Sequence, residues 1–108
     1  SMHRGTDFVG SSLNENIISP SPGEVIFAGK FYDYGNMITI DHGFDVKTRY
    51  AHLNKINVKK GDFVSKGQVI GKQGNTGRST GHHLHYEVRY KDKPVDPKKF
   101  LKVGQKVF

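Results

Sequence analysis

Apolar residues along this chain recur in short alternating or continuous runs separated by glycine-bearing turns, and apolar positions at helical spacing are nearly absent. That pattern predicts a small all-β domain of mainly antiparallel sheets, sandwich- or barrel-like. Strands are expected over residues 23–30, 35–41, 47–53, 68–73 and 84–90. Asp33-Tyr34-Gly35, His42-Gly43 and Lys60-Gly61-Asp62 carry the turn chemistry between them, with glycine supplying positive φ. The one helical feature expected is a short C-terminal turn over 96–100, with Asp96 as N-cap and Pro97 at the first helical position.

Composition narrows the classes. The chain has 108 residues, the size of one domain. A chain of this length buries roughly 60–65% of its unfolded surface, enough for one modest core. It contains no cysteine, which removes disulfide frameworks, thiolate nucleophiles, iron–sulfur sites and cysteine zinc sites together. No apolar run approaches the length of a membrane span, so membrane insertion is not expected of this segment. Ser1-Met2 reads as a cloning scar, residues 3–101 as the domain and 102–108 as an extension, the whole cut from a longer protein that carries the targeting segment elsewhere. The net charge of +7 favours anionic surroundings, but the basic residues are spread rather than bundled, and no nucleic-acid partner is expected. Residues 58–70 resemble the hairpin of biotinyl and lipoyl carrier domains. No modifiable lysine stands at a hairpin tip between hydrophobic residues, so the stretch reads as architecture.

The six histidines carry the chemistry. His83 and His85 stand two apart in an expected strand, where positions i and i+2 share a face, while Leu84 and Tyr86 point to the other. Two imidazoles so placed can bind one metal together, or one can bind while the other moves protons beside it. His3 and Asp7, separated by three residues with Gly5 in the middle, can chelate an ion, or they can be a solvated pair. His52 ends a strand whose alternate residues are Thr48 and Tyr50, where an ordinary hydrogen-bonded histidine would also fit. A catalytic zinc site takes three protein ligands and leaves a position open to water.

In chain order, His3-x-x-x-Asp7, Tyr34-Gly35-Asn36, Asp41-His42-Gly43, Thr48-Arg49-Tyr50-Ala51-His52-Leu53, Gly61-Asp62-x-Val64, Ser79-Thr80-Gly81-His82-His83-Leu84-His85-Tyr86-Glu87 and Pro94-Val95-Asp96-Pro97 form a series. It resembles the LytM/lysostaphin-type zinc metallopeptidases of bacterial cell walls. The resemblance covers His3 to about Leu101. It implies His3, Asp7 and His85 as ligands of one zinc ion, and His52 and His83 as catalytic histidines. His83 is then the general base, and His52 holds the water or stabilises the oxyanion; the two roles could be exchanged. Asn36, Arg78, Ser79 and Thr80 edge the groove as candidate substrate contacts, or serve the turns alone. His82, of opposite strand parity to His83, reads as an exposed extra and His42 as structural. The function implied is hydrolysis of amide bonds in peptidoglycan outside the cytoplasm, with the D-alanyl–diaminopimelate cross-link as the expected bond. The alternative is a catalytically silent module of the same fold that binds the wall or activates an amidase.

Overall fold

The computed structural model describes residues 6–9, 15–74 and 83–95, with side chains over 15–74 and 85–95. The described elements run β1 (Thr6–Val9), β2 (Asn16–Ile18), β3 (Gly23–Lys30), a 3-10 turn (Tyr32–Tyr34), β4 (Asn36–Asp41), β5 (Val46–Ala51), β6 (Leu53–Ile56), β7 (Phe63–Val64), β8 (Val69–Gln73), β9 (His83–Tyr90) and β10 (Lys93–Val95). All pairings among the described residues are antiparallel, as the alternating pattern predicts. The larger sheet has the order β1-β9-β5-β4-β3-β7, with β10 also on β9, and the smaller has β2-β8-β6. Since β5 pairs with β9 along one edge, β1 and β10 share its other edge, β1 against 83–86 and β10 against 88–90.

The core lies between the sheets. Ile17, Leu53 and Ile70 of the small sheet pack with Val25, Ile38, Ile40, Tyr50, Tyr86 and Val88 of the large one. Each such aliphatic side chain contributes roughly 1.5–3 kcal/mol on burial. The Tyr50 and Tyr86 rings, register partners on β5 and β9, lie 5.4 Å apart on this side. Gly71 is required where β6 passes closest, because a Cβ there would stand 2.5 Å from the Lys55 carbonyl oxygen.

Four of the five expected strands are present within a residue or two of their expected bounds, with 23–30 reproduced to the residue. The expected 47–53 strand is broken: β5 stops at Ala51, and β6 begins at Leu53 in the other sheet. His52 makes the break in a left-handed conformation, with φ 59°. The expected helical turn over 96–100 lies outside the described residues. Among the described residues no helix is long and apolar enough to cross a membrane.

Candidate metal and catalytic centre

Strand parity sends Tyr86 and Val88 of β9 into the core, so His85, Glu87 and Arg89 occupy its opposite face. Register extends this polar row across the sheet. Ala51, His85 and Asp7 stand level on β5, β9 and β1, and Thr39, Arg49 and Glu87 stand level on β4, β5 and β9. Asp7 is therefore directly across from His85, and Val9 across from His83.

Glu87 is the anchor of this face, with none of its surface exposed. Its Oε2 accepts from the Tyr34 hydroxyl at 2.8 Å and lies 3.1 Å from His85 Nε2. Arg89 Nη1 donates to Oε1 at 3.1 Å, and Arg49 Nη1 stands 3.8 Å from the same oxygen. Burial pushes the Glu87 carboxyl up, but the hydrogen bonds from His85, Tyr34 and Arg89 outweigh it and hold the group below the usual carboxylate range.

The 3-10 turn brings Tyr34 over the same face. Its ring centroid is 5.9 Å from that of His85, and the Arg49 guanidinium lies 5.9 Å from the Tyr34 ring centroid. Its carbonyl accepts the His52 backbone N–H at 2.8 Å. The bend at His52 sets its imidazole beside His85, with ring centroids 6.2 Å apart and planes at 68°. Asn36 Nδ2 donates to the Leu53 carbonyl at 3.0 Å, which braces the chain just after that bend. His42 lies apart from this face, its Nδ1 donating to the Pro22 carbonyl at 2.9 Å and its Nε2 2.7 Å from Thr48 Oγ1.

The structure thus brings together His52, the side chain of His85 and the backbone positions of Asp7 and His83. His3, Arg78, Ser79, Thr80 and His82 lie outside the described residues. Sequence reasoning read Tyr34 as turn chemistry and assigned no site role to Tyr34, Glu87, Arg49 or Arg89. The signal for two of them was present: His83, His85, Glu87 and Arg89 are polar at every second position of one strand. Chemically, the face offers an imidazole held by a buried carboxylate and a second imidazole next to it, while Asp7 is the backbone register partner of His85.

Residues 1–97 match the model of peptidase family M23. The chain belongs to that family. It is 46% identical over 97 residues to the peptidoglycan DD-endopeptidase ShyB of Vibrio cholerae, covering 90% of this chain and 22% of that protein. It superposes on a zinc-containing peptidase from Vibrio cholerae with a TM-score of 0.82 and 46% identity, over 86% of this chain and 28% of the other. On the catalytic domain of lysostaphin from Staphylococcus simulans the TM-score is 0.86 at 37% identity, over 94% and 80%. This chain thus spans only about a fifth of ShyB, whereas it covers most of the lysostaphin catalytic domain.

Proposed function

We propose that the chain is a zinc-dependent endopeptidase that hydrolyses amide bonds in the peptide cross-links of peptidoglycan, outside the cytoplasm. The observation that carries this reading is the register of Asp7 against His85, with the His52 ring 6.2 Å from that of His85. A DD-endopeptidase of peptidoglycan and a zinc-containing peptidase among its similar proteins support it.

The donor set fits zinc. One carboxylate and two imidazoles, with no thiolate in the chain, suit a borderline cation that takes nitrogen and oxygen together. The buried carboxylate against Nε2 of His85 is the kind of outer partner that orients a ligating imidazole. His3, Asp7 and His85 would hold the ion, which supplies Lewis acidity toward the scissile carbonyl and makes water acidic enough to react near neutral pH. His83 takes the proton of the attacking water and returns it to the leaving amine. His52 stabilises the negative charge that develops on the carbonyl oxygen, or steadies the water. Asn36, Arg78, Ser79 and Thr80 line the approach of the peptide, and the D-alanyl–diaminopimelate cross-link is the bond proposed.

The test combines metal analysis with digestion of defined muropeptides followed by mass spectrometry. The chain purified without added metal is expected to hold about one zinc ion. His85→Ala should lose the metal and the activity together, while His83→Ala should keep the metal and lose at least a hundredfold in rate, the scale of a general-base contribution. Retained cleavage in His83→Ala would remove His83 from the base role. A chain that binds sacculi but releases no fragment and holds no zinc would be the silent module instead.

A further inference from the structure

On the outer face of β9 the carboxylate of Glu87, already placed against His85 Nε2, also receives Tyr34 and Arg89, and together these contacts decide which His85 nitrogen is free. We infer that Glu87, clamped by Tyr34 and Arg89, is a positioning residue that fixes the His85 ring in a single tautomer and leaves Nδ1 as its ligating nitrogen. The inference rests on the zinc reading only for what Nδ1 binds.

The argument is one of donors and acceptors. A guanidinium can only donate, so Arg89 at 3.1 Å makes Oε1 an acceptor. Oε2 accepts the Tyr34 hydroxyl at 2.8 Å. A carboxylate with both oxygens accepting has no proton to give, so His85 Nε2, 3.1 Å from Oε2, must be the donor. In the neutral ring the lone pair then belongs to Nδ1, and only a nitrogen with a lone pair ligates a metal. Glu87 has no exposed surface, so its carboxylate faces protein donors rather than bulk water. The clamp is long-range as well, since Tyr34 and Glu87 are 53 residues apart. Tyr34 also accepts the His52 N–H on its carbonyl at 2.8 Å, so a single residue aligns the bend carrying one imidazole with the carboxylate holding the other.

The experiment uses the 108-residue chain in two states. In the metal-stripped protein, nitrogen–proton correlation spectra of the imidazoles should show His85 protonated at Nε2 near pH 8. In competition with a chromophoric chelator, Glu87→Gln should bind zinc roughly 10–100-fold more weakly than the parent, the usual scale for an outer-shell carboxylate. Tyr34→Phe, which spares the carboxylate, should lose less than Glu87→Gln and keep the Nε2–H tautomer. If Glu87 served only the packing, Glu87→Gln would lower the unfolding temperature of the metal-free protein and leave zinc affinity within twofold, which overturns the inference. A parent spectrum with His85 protonated at Nδ1 overturns it too, and that measurement stands even where Glu87→Gln does not fold. A parent chain that shows Nε2–H but takes up no zinc would sink the zinc reading of the site while upholding the hold of Glu87 on the ring.

Discussion

At His52 the backbone pays for its place in the site. A non-glycine residue at φ 59° costs about 1–2 kcal/mol from the clash of Cβ with the following carbonyl. The bend is nonetheless held, by the Tyr34 carbonyl on the His52 N–H and by Asn36 on the Leu53 carbonyl. The same conformation sets the imidazole 6.2 Å from the His85 ring. Two substitutions separate backbone cost from side-chain role. His52→Gly should unfold in urea with a stability about 1 kcal/mol above that of His52→Ala, because glycine accepts positive φ without the Cβ clash. Both should be inactive on muropeptides. Equal stabilities would mean that the bend relaxes once the imidazole is gone, and the strain would then belong to the side chain's contacts.

Between elements, His42 works as a clip. Its Nδ1 donates to the Pro22 carbonyl ahead of β3, and its Nε2 lies 2.7 Å from Thr48 Oγ1, which is 2.7 Å from the Tyr50 hydroxyl inside β5. Burial lowers the His42 pKa despite the opposing pull of the Pro22 carbonyl and Asp41, which favours the neutral ring with Nδ1–H on Pro22. The sign follows. The unfolded chain takes up the proton first, near 6.5, so stability contributed by neutral His42 is present above that pH and is lost as pH falls below it toward the folded value. Urea midpoints at pH 7.5 and 5.5 should therefore diverge more for the parent than for His42→Gln, and parallel slopes would remove His42 as the cause. The structural role of His42 was legible from its Asp-His-Gly turn, as were the long strands. The pairing partners were not. The resemblance implied that Asp7 and His85 belong to one site, but the register that pairs their strands, and the three-residue turn that brings Tyr34 to Glu87, are not encoded by local alternation. β2, β7 and β10 are too short for a period of two to declare itself.

Across the whole molecule the excess of positive charge has a different reach from the site. Lys30, Lys55, Lys59, Lys60 and Lys66 are exposed, and Lys55 stands directly opposite Lys72 in the small sheet, an arrangement of like charges that costs stability. The site face, by contrast, spends its arginines internally on Glu87. In the proposed function, binding to an anionic wall and hydrolysis within it are therefore separable quantities. Exposed charges act over a Debye length of about 10 Å at 0.1 M salt and about 3 Å at 1 M, whereas a buried carboxylate and its partners are barely screened. Raising salt over that range should release the chain from insoluble peptidoglycan by tenfold or more in a pull-down, while the rate on a small soluble muropeptide changes less than threefold. Equal losses in both assays would mean that the positive charge acts inside the cleft, on the substrate itself, and not in holding the domain to its surroundings.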